Sequence, residues 1–237
     1  MLDNLKIEDV LFIDIETVPT VSDFDILDDS MKTLWDKKSR QLRTEEQSAE
    51  DVYGKAGIYS EFGKIICISV GLIAEKSLRL KSFYGDDEKM VLEDFSAMLS
   101  KFAKAPKDAL LCAHNGKEFD YPYIARRMII NNVRIPALLD NTGKKPWEIK
   151  LLDTMELWKF GDYKSYTSLD LLTTVLGIPT PKDDIDGSMV AGIYYGDKDI
   201  ERIVKYCEKD VAAIAQVLLR FMNNPLIEPD RIISVTL

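Results

Sequence analysis

Short apolar runs alternate with longer amphipathic stretches along the chain, and the two periods separate strands from helices. The run Val10-Leu11-Phe12-Ile13-Asp14-Ile15-Glu16 is apolar until acids interrupt it, and its Ile/Phe/Val content predicts a buried strand. Lys64 to Ile73 and Leu78 to Tyr84 predict two more, joined by the hairpin-length connection Ala74-Glu75-Lys76-Ser77. Ala109 to Ala113 and Lys150 to Asp153 predict further short strands. Helical spacing marks Glu88 to Phe102, with Val91, Phe95, Met98, Leu99 and Phe102 recurring on one face. Phe119 to Ile130 also reads as a helix, Pro122 being tolerated in its first turn. Ser168 to Leu176 predicts a helix ended by Gly177, Gly187 to Tyr195 a weaker one, and Ile200 to Met222 a strongly amphipathic one stopped by Asn223-Asn224-Pro225. From Thr17 to about Gly63 the text is charge-rich, with a helical pattern around Met31 to Glu50, which predicts a partly helical insertion at about residues 18–63. The element order implies an α/β fold: a mixed sheet, an antiparallel hairpin plus parallel strands, flanked by helices.

A length of 237 residues suits one domain, 1–237, carrying that insertion, and it is long enough to bury a core without staples. With 46% hydrophobic and 30% charged residues, composition excludes collagenous and disordered chains. No apolar run reaches the length of a membrane span, and the first residues lack a basic region followed by a long apolar one, so neither membrane nor secretory signal is expected. Cys67, Cys112 and Cys207 are read as buried reduced thiols in a cytoplasmic protein. A single histidine, His114, argues against a Cys/His zinc site. The net charge of −9 disfavours nucleic-acid binding by bulk electrostatics. It leaves room for an enzyme that holds a nucleic-acid end through metal ions, because a divalent cation outweighs the charge around it.

Asp14 and Glu16 sit at i and i+2 of a strand, so both carboxylates share a face. Two acids ending an apolar strand are costly unless solvated or paired with cations, and magnesium takes carboxylate oxygens readily. D-x-E recurs at Asp86/Glu88 and Asp199/Glu201, where helix-capping acids are the simpler reading. Asp120 opens a helix directly after a strand, a position that fits an N-cap and also a ligand site of an α/β sheet. Tyr206 and Asp210, at i and i+4, share a helix face beside the apolar stripe Ile203, Cys207, Val211, Ile214 and Leu218. The same Y-x-x-x-D spacing at Tyr166/Asp170 and Tyr195/Asp199 makes the pair uninformative alone.

In combination these motifs are specific. D-I-E-T on a first strand, N-x-x-x-F-D-x-P-Y at a helix start and Y-C-x-x-D on a late helix, in that order, resemble the DEDD superfamily of 3′-5′ exonucleases on the RNase H-like fold, and within it the proofreading exonuclease domain of family B DNA polymerases. Phe119 to Ile124 with Arg127, and Ser165 to Asp170 leading to Leu176-Gly177, resemble further stretches of that family. The resemblance implies that Asp14, Glu16, Asp120 and Asp210 hold two divalent cations, Mg²⁺ or Mn²⁺, and that Tyr206 orients the attacking water. The histidine of the alternative branch would stand at Lys205, so the tyrosine branch (DEDDy) is indicated and His114 is assigned a supporting place.

Softer assignments follow from the same resemblance. Thr17 is a candidate for the terminal 3′-hydroxyl. Asn115 either bonds a phosphate, positions Asp120, or serves as a turn residue before Gly116. Phe119 either packs under the terminal base or joins the core. Lys144, Lys145, Lys150, Arg126 and Arg127 are candidates for backbone phosphates, with a solvated basic face as the plainer reading for most. The expected activity is a standalone 3′-5′ exonuclease on single-stranded or frayed DNA, releasing nucleoside 5′-monophosphates. An exoribonuclease with the same site, and a non-catalytic nucleic-acid or protein binding module, are the alternatives. No polymerase domain fits in this length, so a polymerase or repair partner would act in trans. The insertion is expected beside the site, where it would limit which ends enter.

Overall fold

The structure, a computed structural model, describes residues 2–106, 108–162, 166–179 and 185–236. Among them six strands form one mixed sheet: β1 (Val10–Pro19), β2 (Gly63–Ala74), β3 (Ser77–Tyr84), β4 (Leu110–Ala113), β5 (Leu152–Asp153) and β6 (Ile232–Ser234). Their spatial order is β5-β4-β1-β2-β3-β6. β1, β2 and β3 pair antiparallel, β4 and β5 continue parallel from β1, and β6 lies parallel to β3. The expected α/β sheet of mixed RNase H-like type is present. The hairpin turns at Glu75-Lys76, both in the left-handed region (φ 51° and 64°), the conformation whose twist matches paired strands.

Helices cover both faces: α1 (Asp29–Ser39), α2 (Glu88–Phe102), α3 (Asp120–Ile130), α4 (Thr154–Lys159), α5 (Leu169–Val175), α6 (Val190–Gly192) and α7 (Ile200–Phe221). α6 runs on into a π-helical turn, Ile193–Asp197. Odd-numbered residues of β1, Leu11, Ile13 and Ile15, join α2 and α3 through Val91, Phe95, Ile124 and Met128. Even-numbered Val10 and Phe12 meet α7 through Val211, Ile214 and Leu218. All five residues of the predicted α7 stripe are fully buried.

Several boundaries differ from the sequence expectation. β1 runs on past Glu16 to Pro19. The helical pattern of Met31 to Glu50 stops early, with α1 ending at Ser39 and a single 3₁₀ turn following at Arg40–Leu42. Beyond it, the Asp51 carboxylate accepts from the Ser48 backbone N–H at 2.7 Å and its hydroxyl at 2.8 Å, which offers the chain a turn in place of a helix. The weak helix expected at Gly187 begins only at Val190, after a similar turn closed by Asp186 onto Ser188. Ser165 of the predicted Ser165 to Asp170 stretch lies outside the described residues. Ser168 caps α5, and Gly177 (φ 62°) follows its end as expected. β6 and α4 carry too few residues to leave a periodic signal.

The sequence reads Glu88 as a helix-capping acid and Arg127 as a candidate phosphate contact. Both are buried. The Arg127 guanidinium donates to Glu88 Oε1 at 2.8 Å and Oε2 at 2.5 Å, and to the Ser60 carbonyl at 2.9 Å. Glu88 Oε1 also accepts the Ile65 backbone N–H at 2.8 Å. The pair thus ties α2 and α3 to the start of β2 and to the segment before it, and Arg127 belongs to the interior frame rather than to an exposed basic face. Losing one partner strands a buried charge, so Arg127→Met should lower unfolding free energy by about 3–5 kcal/mol in urea titration. The double variant with Glu88→Met should lose clearly less than the sum of the two singles.

Candidate active site

β1 delivers two carboxylates because its even-numbered row, apolar at Val10 and Phe12, becomes acidic at Asp14 and Glu16 on the α7 side. Opposite Glu16 and Thr17 the pairing slips by one residue of β2. Ile66 and Cys67 therefore both face the α7 side, Ile66 packing with Val18 and Ile203, Cys67 with Val204 and Cys207. A bulge of this kind bends a strand and re-aims its side chains. α7 lies tight on the sheet, since a Cβ at Gly71 would stand 2.8 Å from Val211 Cγ1. That contact sets Tyr206, Cys207 and Asp210 against the end of β1.

Asp14, Glu16 and the Cys207 sulfur offer ligand atoms all within 4.8 Å of one another. The Cys207 thiol donates to Asp14 Oδ2 at 3.4 Å. Asp120, in the first turn of α3, is buried, and the nearby backbone N–H groups of Ile15 and of Asp120 itself favour its ionised form. Asp210 lies close enough to raise the carboxyl pKa values of Asp14, Glu16 and Asp120, and it hydrogen-bonds the Tyr206 phenol. The four acids and the tyrosine named from sequence are thus brought together by three elements.

Their electrostatics are those of like charges partly removed from water: Glu16 and Asp120 are buried, Asp14 and Asp210 half-buried. Burial raises Asp14 and Glu16 well above the usual carboxylate range, and the neighbouring acids add to it. Burial pushes Asp120 up to about 7, with Asp153 and Asp210 contributing and its backbone hydrogen bonds opposing. The largest causes of these three shifts include no lysine or arginine. Divalent cations fit such a donor set: hard carboxylate oxygens whose ionised forms lack a counter-charge. Burial and the adjacent carboxylates raise the Tyr206 phenol far above its ordinary value, so it stays protonated.

The predicted softer residues divide. Thr17 lines the groove, close to the Tyr123 hydroxyl. Phe119 borders the same groove while packing against Tyr123, with ring centroids 5.3 Å apart. Asn115 takes a left-handed turn conformation (φ 60°), its Oδ1 buried without a hydrogen-bond partner. Lys144, Lys145, Lys150 and Arg126 are exposed basic side chains. His114 bridges Thr154 Oγ1 at 2.8 Å and the Thr167 carbonyl at 2.9 Å, a supporting place as expected. Burial lowers its pKa.

Two supports went unnoticed in the sequence. Asp153, buried at the end of β5, accepts the backbone N–H of Asn115 and of Lys117, each at 3.0 Å, and caps α4 through Met155. It therefore fixes the loop that leads into Asp120. An acid ending the apolar run Lys150 to Asp153 was the available signal. Glu208 is the other, buried where Ser82, Ser234 and Thr236 donate to it.

A groove of about 700 Å³ opens over Glu16 and Thr17. One wall is the 3₁₀ stretch Tyr53–Ile58 from the β1–β2 segment, the other the small residues Gly187, Ser188, Ala191 and Gly192. The segment expected beside the site does border it.

An RNase H-like sheet whose acids gather where β1, α3 and α7 meet defines the class, that of a nuclease fold. Residues 58–225 match the family model described as "Predicted 3'-5' exonuclease related to the exonuclease domain of PolB", and the chain belongs to this family. The matched stretch includes Asp120, Tyr206 and Asp210 and begins after Asp14 and Glu16. Among solved structures, the family B DNA polymerase from the hyperthermophilic archaeon Pyrobaculum calidifontis matches with a TM-score of 0.55 at 15% identity, over 90% of this chain and 24% of the polymerase. The chain thus spans about a quarter of that protein's length. No curated protein sequence matches. Exonuclease domains of this kind use divalent metals, in keeping with the acid cluster. Among the described residues no helix is long and apolar enough to cross a membrane.

An acid raised in the folded state stabilises least once it must ionise. Asp120 favours folding below its unfolded value near 4, and that contribution is lost as pH rises through about 7. The metal-free protein should therefore melt at falling temperature between pH 5.5 and 8.5, with Mn²⁺ restoring more stability at pH 8.5 than at pH 5.5. Asp120→Asn should flatten the metal-free profile. Differential scanning calorimetry with chelator or Mn²⁺ measures both.

Proposed function

We propose that the protein is a 3′-5′ exonuclease that removes nucleotides from single-stranded or frayed DNA ends and releases nucleoside 5′-monophosphates. The observation that carries this reading is the gathering of Asp14, Glu16, Asp120 and Asp210 beside an open groove, with the pKa values of Asp14, Glu16 and Asp120 raised by burial and mutual repulsion. These four residues would hold two divalent cations, Mg²⁺ or Mn²⁺, which supply a nucleophilic water at neutral pH and neutralise charge developing on the phosphodiester. Cys207 holds Asp14 through its thiol, and Asp153 holds the loop entering Asp120. Tyr206, protonated and with its one O–H directed to Asp210, would accept a hydrogen bond from the attacking water and so orient it in line with the bond to be broken. Attack at phosphorus breaks the bond to the preceding 3′ oxygen. The shortened strand keeps a 3′-hydroxyl and the released nucleotide keeps its 5′-phosphate. A polymerase or repair assembly acting in trans would supply the ends, in a cytoplasmic setting suited to three unbridged buried cysteines.

The test is degradation of 5′-labelled single-stranded DNA and matched RNA with Mg²⁺, Mn²⁺ or chelator. A metal-dependent ladder shortening from the 3′ end, faster on DNA, is expected. Asp14→Ala should lose at least ~100-fold in rate, the scale that even outer partners of a metal site reach. Tyr206→Phe should lose about 100-fold in turnover while still binding Mn²⁺. No ladder on either polymer with either metal would overturn the reading, and a faster RNA ladder would make the enzyme an exoribonuclease.

A further inference from the structure

The groove has one wall that the four acids do not explain. The β1–β2 segment folds around its own small core, where Trp35 is fully buried, donates from Nε1 to the Ala49 carbonyl at 2.8 Å, and packs edge-on to Tyr53 and Phe62. From this base the 3₁₀ stretch Tyr53–Ile58 reaches over the end of β1. It is seated there closely: a Cβ at Gly57 would stand 3.0 Å from the Val18 carbonyl carbon. Tyr123 donates to the Gly57 carbonyl at 2.7 Å, and Arg127 to the Ser60 carbonyl at 2.9 Å. Both anchors come from α3, the helix that carries Asp120. The wall is therefore rigid with respect to the acids.

What the wall presents is chemically pointed. Lys55 is the single cationic side chain among the described residues bordering the groove, which otherwise holds the acids Glu16 and Asp51. It is exposed and makes no ion pair among the described residues. Three residues on, Ile58 is exposed and borders the groove together with Phe119. A volume of about 700 Å³ falls in the range of small-molecule sites. One cation and two apolar side chains in a groove that reaches Glu16 of the acid cluster make a complement to a single nucleotide: an anion, then a flat apolar base.

We infer that Tyr53–Ile58 forms the binding wall for the 3′-terminal nucleotide, with Lys55 contacting the 5′-phosphate of that nucleotide and Ile58 and Phe119 flanking its base. This rests on the exonuclease reading and assigns the β1–β2 segment a part in it. In a chain of net charge −9, one positioned lysine supplies locally the attraction that the whole surface lacks.

The test is calorimetric binding of thymidine 5′-monophosphate, and of thymidine as the phosphate-free control, with Mn²⁺ present. Lys55→Gln should weaken the monophosphate about tenfold, a charge-assisted contact's worth, and leave thymidine unchanged. Lys55→Arg should restore most of the loss. Ile58→Ser should weaken both ligands alike. In oligonucleotide hydrolysis Lys55→Gln should raise KM more than it lowers kcat. Equal monophosphate affinity in wild type and Lys55→Gln, or no binding by wild type, overturns this inference even if the oligonucleotide is degraded normally. Lys55-dependent binding without any hydrolysis by wild type overturns the exonuclease reading and leaves the nucleotide wall standing.

Discussion

Carboxylates gathered away from water repel one another, and the region around the end of β1 is arranged so that this repulsion is concentrated rather than relieved. Asp14 and Glu16 extend an otherwise apolar strand row, Asp120 enters from the first turn of α3, and Asp210 approaches from α7. Each could have been turned to solvent at small cost. Instead burial holds Asp14, Glu16 and Asp120 at raised pKa, and no basic side chain stands among the main causes of those shifts. A buried like-charge cluster of this kind makes physical sense when cations complete it.

The packing around the cluster serves the same end. Where β2 takes its extra residue, Ile66 and Cys67 both press toward the α7 side, and the Gly71–Val211 contact lets α7 lie close enough for Cys207 to reach Asp14. Farther from the acids, the buried Glu88–Arg127 pair joins α2, α3 and the start of β2. The same arginine holds the segment that walls the groove. Frame and groove wall are consequently joined through α3, the helix bearing Asp120.

Much of this was legible from residue order, for reasons that can be named. β1, β2, β3, α2 and α7 are long and strongly periodic, so burial leaves its period in the sequence. The acids were legible because each interrupts or opens such an element. Failures lie where local chemistry overrides period. The Ser48–Asp51 turn ends helical structure early, β6 is three residues on a sheet edge, and the slip in β2 is hidden inside a continuous apolar run. Glu88 looked like a cap because its true partner, Arg127, is 39 residues away in sequence. Lys55 carried no motif at all; only the fold brings it to the groove.

Burial, with the acids' mutual repulsion added, favours their protonated forms, and cations that bind there would displace protons. Titration of Mn²⁺ into the metal-free protein at pH 6.5, repeated in buffers of different ionisation enthalpy, measures metal stoichiometry and proton release together. The account requires two ions bound with net release of protons, and loss of both ions or of the proton release in Asp120→Asn. Binding without proton release, or no binding at millimolar Mn²⁺, would contradict it.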